Sequence, residues 1–313
     1  MEDIKFQKNV SLKNLTTYKI GGPAKYFFVA KSKDELLLAL KKAKQLKLKV
    51  FIMGGGSNLL VSDKGFKGLV IKISIDGAEV RGNEMTVGAG TDLTKLAYMA
   101  SENGLSGLEW SAGIPSATVG GAIYGHAQAF GTKMSDAVKS VDTLDLKTLK
   151  IKTFSKTQCK FSLKNSIFKK TKKYVIVSAI LEMQQKDSKE VKKLIKEFLE
   201  YRRNSHPMKF PSAGSTFVNP QKKIKDKKLI TKFPELIAYN EKGTIPSGFL
   251  VAKCGLAGKK MGGAQISEKH SNFILNIKGA KAKDVLALIK LAKQKVKKTF
   301  GITLETEVQF LGF

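Results

Sequence analysis

The chain has 313 residues, 42% of them hydrophobic and 26% charged, a composition typical of a globular protein with two or three domains. Its 56 lysines and arginines against 26 aspartates and glutamates give a net charge of +30. No apolar run approaches the roughly 20 residues that span a bilayer, and the N-terminal residues do not resemble a secretory signal. Cys159 and Cys254 have neither disulfide nor zinc spacing. We therefore expect a reduced, cytoplasmic protein with no metal site.

The first half reads as strands and helices in alternation. A strand at residues 26–30 precedes a helix that Ser32 and Glu35 open as a capping box. The inward face of this helix is predicted to consist of Leu36, Leu40 and Ala43. Further predicted elements are strands at 50–53, 68–74 and 85–88, and a helix at 92–103. Residues 111–131 are too rich in glycine and small side chains to form one helix.

A change in composition near residue 185 marks the clearest boundary in the chain. It is followed by a basic amphipathic helix at residues 187–203. The remaining predicted elements are a helix around 246–254, a strand at 272–277, a long helix at 282–300 and a closing strand at 303–310. The pattern indicates an α+β protein of two subdomains plus a C-terminal part.

The excess of positive charge has three interpretations. It is a general preference for lysine on a solvated surface, or a field that attracts anionic small molecules, or a surface for nucleic acid. The lysines are dispersed in short pairs such as Lys222-Lys223, and no aromatic side chains alternate with them. The pattern favours the first interpretation, leaves the second open and supports the third least.

Three glycine-rich segments follow strands in the first half, at residues 54–58, 88–91 and 113–121. Glycine permits positive φ and close approach of backbone N–H groups, and successive N–H groups can bind a pyrophosphate. None of the segments fits the dinucleotide-binding fingerprint of Rossmann domains or the phosphate loop of P-loop enzymes. The residues alone leave two readings open, a dinucleotide held by backbone or structural turns.

Six short motifs carry more information together than singly. They lie at residues 14–24, 54–60, 113–115 with 118–122, 213–217 with 219–220, 267–273 and 304–308. In this order and spacing they resemble the UDP-N-acetylenolpyruvoylglucosamine reductases (MurB), flavoenzymes of bacterial cell-wall precursor synthesis. The resemblance covers about residues 10–311. The short distance between Lys164 and Ser215 resembles the compact type of the family, which lacks an inserted tyrosine-bearing loop.

The resemblance implies an α+β fold in which FAD is bound non-covalently. It implies an FAD-binding domain of the PCMH, or vanillyl-alcohol-oxidase, type at residues 1–185, with subdomains at about 1–75 and 76–185. A substrate-binding C-terminal domain is then expected at 186–300, and a closing strand with the catalytic glutamate at 301–313. The cofactor-binding residues implied are Tyr18, Gly54, Gly55, Gly56, Ser57, Asn58, Gly88, Gly90, Thr91, Gly113, Ile114, Pro115, Thr118, Gly120 and Gly121.

The resemblance also implies the catalytic residues. Ser215 matches the proton donor and Glu307 the catalytic glutamate, although Glu305, two residues earlier, would share a strand face with Glu307 and stays an alternative. Lys164 stands where the family has an arginine, so it keeps the positive charge but loses the bidentate fork. Asn219 and His270 match substrate-binding positions. From the residues alone, Ser215 reads as a serine in a glycine-rich turn and Lys164 as a surface lysine.

The flavin loop departs from the family pattern as well. Ser116 and Ala117 stand where one glycine is usual, and His126 and Gln128 replace an asparagine and a glycine. His126 either contacts the flavin or hydrogen-bonds within the loop, and the sequence does not separate these. Before Pro207, Ser205 and His206 replace a typical lysine and glutamine.

The implied activity is the NADPH-dependent reduction of UDP-N-acetylglucosamine enolpyruvate to UDP-N-acetylmuramate through FAD. Hydride would go to C3 and a proton from Ser215 to C2. The expected partners are the UDP-sugar and NADPH, with neither nucleic acid nor membrane insertion. Two alternatives remain, another flavoenzyme of the same cofactor fold that oxidises an alcohol, and a non-catalytic nucleotide- or nucleic-acid-binding module on a decayed flavoenzyme scaffold.

Overall fold

The structure is a computed structural model that describes residues 4–313, so the first three residues of the predicted FAD-binding domain lie outside the described residues. The strands are β1 (Gln7–Ser11), β2 (Pro23–Ala30), β3 (Val50–Met53), β4 (Leu59–Val61), β5 (Phe66–Ile73), β6 (Ala78–Arg81), β7 (Glu84–Gly88), β8 (Leu105–Ser106), β9 (Gln128–Ala129), β10 (Thr132–Lys133), β11 (Val138–Asp145), β12 (Ile151–Ser155), β13 (Tyr174–Glu182), β14 (Gln184–Gln185), β15 (Lys260–Met261), β16 (Ala264–Ile266), β17 (Ile274–Asn276) and β18 (Gln309–Leu311). The α-helices are α1 (Lys33–Gln45), α2 (Leu93–Glu102), α3 (Val119–Gly125), α4 (Met134–Ala137), α5 (Ile167–Thr171), α6 (Ser188–Ser205), α7 (Lys227–Lys232), α8 (Leu236–Glu241), α9 (Ser247–Lys253) and α10 (Ala282–Phe300).

The described chain forms two compact units. The first comprises residues 4–11, 23–57 and 66–204, and the second comprises residues 12–22, 58–65 and 205–313. Both units interleave helices with strands, as the α+β prediction requires.

The first unit contains a mixed four-stranded sheet in the order β1-β2-β5-β3, in which β5 runs parallel to both β2 and β3. Helix α1 buries Leu36, Leu40 and Ala43, as its spacing predicts. The Ser32 hydroxyl accepts a hydrogen bond from the Glu35 N–H at 3.1 Å. The predicted capping box is only half formed, because the Glu35 carboxylate accepts from the Lys31 N–H instead of the Ser32 N–H.

A second sheet of the first unit is antiparallel, with the order β12-β11-β13-β7-β6. Helix α2 follows β7, and the Asp92 carboxylate caps it by accepting the N–H groups of Thr94 and Lys95 at 2.8 and 3.0 Å. Both sheets contribute to one hydrophobic core, which includes Leu69 and Ile71 of β5 and Met85 of β7. The glycine-rich segments at 54–58 and 88–91 begin where strands of these two sheets end.

The second unit is built around α10, whose predicted limits are confirmed to the residue. Val285, Leu288, Ala292 and Val296 lie on its buried face. The helix packs against α9 and against the three-stranded antiparallel sheet β15-β16-β17. Strand β18 pairs in parallel with β4, so residues 59–61 belong with the C-terminal part of the chain although they are distant from it in sequence.

These units divide the chain differently from the predicted domains. The predicted C-terminal domain begins at 186, but α6 belongs to the first unit because Ile195 lies in its core and Phe198 and Leu199 pack against that core. Residues 12–22 and 58–65, predicted within the FAD-binding domain, belong to the second unit.

The predicted closing strand at 303–310 is mostly wrong. The strand is β18, and residues 303–308 form only an isolated bridge, between Thr306 and Phe217. Of the residues predicted in this strand, only Gln309 and Phe310 lie in β18, where they pair with β4.

No helix within residues 4–313 combines the length and the apolar character that crossing a bilayer requires. Among the same residues, no three side chains of His, Cys, Asp or Glu come close enough together to bind one metal ion.

Candidate active site

Residues of the three glycine-rich segments meet one another within the first unit. A Cβ atom on Gly55 would lie 1.6 Å from the Ser116 carbonyl oxygen, and one on Gly54 would lie 2.6 Å from the Thr118 Oγ1. The Gly120 N–H donates to the Ala89 carbonyl at 2.8 Å, which links the third segment to the second. Glycine is therefore required at Gly55, where a side chain would clash with backbone, and a side chain on Gly54 would have to displace the Thr118 hydroxyl.

Most backbone N–H groups of the second and third segments are already used within the protein. Five of these N–H groups donate to backbone carbonyls, those of Gly88 to Gly77, Gly90 to Ile75, Thr91 to Gly88, Ile114 to Ser111 and Gly120 to Ala89. Two more donate to hydroxyls, that of Gly113 to Thr94 and that of Gly121 to Thr118. These N–H groups do not form the pyrophosphate cradle that the glycine content suggested. Contacts of these residues with FAD through other atoms stay a prediction.

Buried polar atoms without a hydrogen-bond partner indicate where a polar ligand fits. Among residues 4–313 they include the Asn58 Oδ1, the Gln128 Nε2, the Thr216 Oγ1 and the Glu109 Oε1. An unpaired buried polar atom costs about 1–3 kcal/mol. Asn58 is a predicted FAD ligand, Gln128 lies in the predicted flavin loop and Thr216 follows Ser215. Within the first unit, the unpaired Gln128 Nε2 and the Gly54 and Gly55 packing fit a bound FAD.

Tyr18 is a core residue of the second unit. It is 1% exposed. Its carbonyl accepts the Asn276 side-chain amide at 3.1 Å, and burial raises the pKa of its phenol. The structure gives Tyr18 a core role, and a contact with FAD stays a prediction.

Ser215 and Glu307 come together in the second unit. Ser215 forms a bridge with Phe273, and the next residue, Thr216, donates its N–H to the Asn272 carbonyl at 2.7 Å. On its other side, the Thr216 carbonyl accepts the Glu307 N–H at 2.9 Å. The segment of Ser215 is thus held between the segments of residues 270–273 and 305–307, which brings three predicted site motifs together.

The two candidate glutamates differ in burial. Glu305 is exposed, whereas Glu307 is half-buried. The Glu307 carbonyl also accepts the Asn58 side-chain amide at 3.2 Å. Because a catalytic carboxyl needs a sheltered place beside its reactant, this environment supports Glu307 over Glu305.

Asn272 is a residue of this site that the sequence analysis did not single out. Its side chain accepts the Phe217 N–H and donates to the Phe217 carbonyl, both at 2.9 Å, and it is 3% exposed. It therefore fixes the backbone two residues after Ser215. Its place two residues after His270 in the motif at 267–273 was the available signal.

The predicted substrate residues have defined surroundings in the same unit. Burial lowers the pKa of His270, and its Nδ1 accepts the Asn272 N–H at 3.3 Å. The His270 ring lies 4.9 Å from the Phe273 ring and 5.6 Å from the His206 ring, measured between centroids. The Asn219 Oδ1 accepts the Ser247 N–H at 2.9 Å, so this oxygen holds the start of α9.

Lys164 belongs to the first unit. It is half-buried and has a φ of 53°, within a turn closed by backbone hydrogen bonds between Ser162 and Asn165 at 3.0 and 3.1 Å. Both ring nitrogens of His126 bond within the protein, to Ser162 and Ser135, and a contact of the ring with the flavin stays an alternative prediction. Ser116, in place of the usual glycine, has a φ of 52°, a conformation in which glycine is favoured.

Comparison with protein families identifies both halves of the chain. Residues 24–153 match the FAD binding domain, and residues 206–311 match the C-terminal domain of UDP-N-acetylenolpyruvoylglucosamine reductase. The match confirms the predicted FAD-binding fold of the PCMH type, FAD as the cofactor and the oxidoreductase class.

Individual relatives extend this likeness over nearly the whole chain. The UDP-N-acetylenolpyruvoylglucosamine reductase of Bacillus subtilis is 38% identical over 308 residues, which cover 97% of this chain and 93% of that protein. The enzyme of Caldicellulosiruptor bescii is 38% identical over 312 residues, with 99% and 91% covered. The crystal structure of MurB from Thermus caldophilus, 28% identical, superposes with a TM-score of 0.78 over 99% of this chain and all of that one. The chain therefore belongs to the UDP-N-acetylenolpyruvoylglucosamine reductase family of peptidoglycan precursor synthesis.

Proposed function

We propose that this enzyme reduces UDP-N-acetylglucosamine enolpyruvate to UDP-N-acetylmuramate with NADPH, in the cytoplasm. The observation that carries the proposal is the junction that holds Ser215 and Glu307 on either side of Thr216. Family membership at 38% identity supports the same substrate, and it disfavours a decayed, non-catalytic module. Neither a nucleic acid nor a membrane is part of the proposed reaction.

The glycine-rich segments of the first unit, together with Asn58, would hold FAD. When bound, FAD would supply the redox chemistry, taking two electrons from NADPH and giving them as hydride to C3 of the enolpyruvyl group. Gly54 and Gly55 would keep the loop close to residues 116–118, and the unpaired Asn58 Oδ1 would gain a partner.

Ser215 would donate its hydroxyl proton to C2. A serine hydroxyl is a weak acid, so this transfer requires a strongly basic carbon and a nearby positive charge to stabilise the enolate-like state. Lys164 would supply that charge as an ammonium, without the bidentate grip of an arginine. Glu307, half-buried beside the serine segment, would return a proton to the Ser215 oxygen after that transfer.

The test separates the two half-reactions by stopped-flow spectroscopy of the flavin. Ser215→Ala should leave flavin reduction by NADPH nearly unchanged and slow reoxidation by the enolpyruvyl substrate by at least about 100-fold. Ser212→Ala is the matched control, since its hydroxyl accepts the Gly214 N–H at 3.4 Å and has no part in the proposed reaction. An equal loss of both half-reactions in Ser215→Ala would assign Ser215 a structural role and overturn its catalytic one.

A further inference from the structure

His126 lies where α3 ends, and it is only 5% exposed. Its φ of 47° is left-handed, a conformation that costs a residue with a side chain about 1–2 kcal/mol. The ring packs on Phe161 with centroids 4.8 Å apart. A strained backbone and a buried ring indicate that the side chain is held in one orientation.

The two ring nitrogens of His126 have different partners. Nδ1 lies 2.5 Å from the Ser162 carbonyl oxygen, and Nε2 lies 2.9 Å from the Ser135 Oγ. A carbonyl oxygen can only accept, so Nδ1 must carry a proton and donate it. A hydroxyl can donate or accept, so Ser135 adapts to either state of Nε2.

The carbonyl that His126 binds belongs to the turn that contains Lys164. Ser162 and Asn165 close this turn, and Lys164 lies inside it. A second bond anchors the same loop, because the Ser166 hydroxyl donates to the Tyr124 carbonyl at 2.7 Å. Two side-chain bonds therefore connect the end of α3 to the loop of Lys164.

We propose that His126 is a positioning residue for Lys164, acting through the Ser162 carbonyl. This inference rests on the proposed function, in which Lys164 supplies the positive charge at the enolate. His126 would supply the N–H donor that holds the Ser162 carbonyl and, with it, the turn that carries Lys164.

Two substitutions distinguish the role of Nδ1 from that of Nε2. His126→Asn retains a donor near the position of Nδ1, whereas His126→Gln places its amide near Nε2 and abandons the Ser162 carbonyl. In His126→Asn, the rate of flavin reoxidation by the enolpyruvyl substrate should stay within about threefold of the wild-type rate. In His126→Gln it should fall at least about tenfold, because small displacements of a catalytic charge are costly. Flavin reduction by NADPH should stay unchanged in both variants.

Ser135→Ala is the matched control, since it removes the partner of Nε2 and leaves the Ser162 bond in place. Its reoxidation rate should equal that of wild type. A tenfold loss in Ser135→Ala, or equal rates in the Asn and Gln variants, would overturn the proposal. If His126→Gln binds no FAD, His126→Ala replaces it in the same comparison.

A double-mutant cycle with Lys164→Met tests whether His126 acts through Lys164. Lys164→Met should slow reoxidation strongly, and adding His126→Gln should then slow it no further, because the positioned charge is already gone. Independent, multiplying losses would overturn the positioning role. A Lys164→Met variant with wild-type reoxidation would instead refute the proposed function of Lys164, so the two failures are distinguishable.

Discussion

At the scale of single residues, Gly55 and Gly125 differ in the space around them. A methyl group on Gly55 would overlap the Ser116 carbonyl oxygen, whereas nothing lies within 4 Å of one on Gly125. We predict that Gly55→Ala destabilises the protein by about 3 kcal/mol or more and lowers its FAD content, because backbone must move. Gly125→Ala, at the end of α3, should change stability by no more than about 1 kcal/mol. Urea unfolding and the flavin absorbance of the purified variants measure both effects.

A Gly55→Ala protein with wild-type stability would mean that the loops of residues 54–58 and 114–118 do not touch. A stable Gly55→Ala protein without FAD would instead assign Gly55 to cofactor binding alone.

His270 provides a residue-scale prediction about pH. Burial favours its neutral form and lowers its pKa, so below about pH 6.5 the unfolded chain binds more protons at this residue than the folded one. Its contribution to stability is therefore fully present above about pH 6.5 and is lost as the pH falls toward the folded-state pKa. His270→Gln should lose less stability than wild type between about pH 7.5 and pH 5.5. If the unfolding free energies of the two proteins changed equally with pH across this range, a buried, neutral His270 would be contradicted.

At the scale of elements, α6 illustrates how one side chain fixes a loop. Arg202 is 8% exposed, and its guanidinium donates to the carbonyls of Trp110 at 2.7 Å and Ala112 at 3.0 Å. It also lies 5.0 Å from the centre of the Phe130 ring, and burial lowers its pKa, although an arginine stays charged. These bonds attach α6 to the residues immediately before Gly113.

We predict that Arg202→Met costs about 2–4 kcal/mol, because it leaves two carbonyl groups without their donor. It should also weaken FAD binding, since the predicted cofactor residues 113–115 follow Ala112 directly. Arg203→Met is the control, because Arg203 is exposed and its replacement should cost less than about 1 kcal/mol. Thermal unfolding measures the loss of stability, and FAD titration measures the loss of affinity. Equal effects of the two substitutions would refute the anchoring role of Arg202.

The elements that the sequence predicted well carry their own signals. Helix α2 has the Asp92 cap and a buried apolar face, and α10 has a continuous apolar stripe. The failures lie where distant partners decide. Residues 303–308 have a strand-like pattern but pair only through the bridge at Thr306, and the N–H groups of Gly88 and Gly120 donate to the carbonyls of Gly77 and Ala89.

The site shows the same contrast. Ser215 and Glu307 were predicted from motifs, and the order of the motifs could not show that the Thr216 carbonyl accepts the Glu307 N–H. His126 was noticed as a departure from the family pattern, but its bond to Ser162 crosses 36 residues, so no local pattern predicts it. Local composition also missed that residues 12–22 and 58–65 belong with the C-terminal unit.

At the scale of the whole molecule, the net charge of +30 acts on every ligand proposed here, since FAD, NADPH and the UDP-sugar are all anionic. Lysines dispersed over the surface would raise the encounter rate of such ligands without contacting them. The Debye length shrinks from about 30 Å at 0.01 M salt to about 3 Å at 1 M, so this attraction is removable.

We therefore predict that kcat/KM for NADPH falls at least about tenfold between about 0.01 and 1 M sodium chloride, because long-range attraction is screened. The first-order rate of flavin reduction at saturating NADPH is the internal control, since it begins from the bound complex and should change less than about twofold. A salt-independent kcat/KM would show that the lysines are only a solvated surface. Equal decreases of both rates would instead indicate that salt perturbs the active site, and either result would exclude steering as the role of the charge.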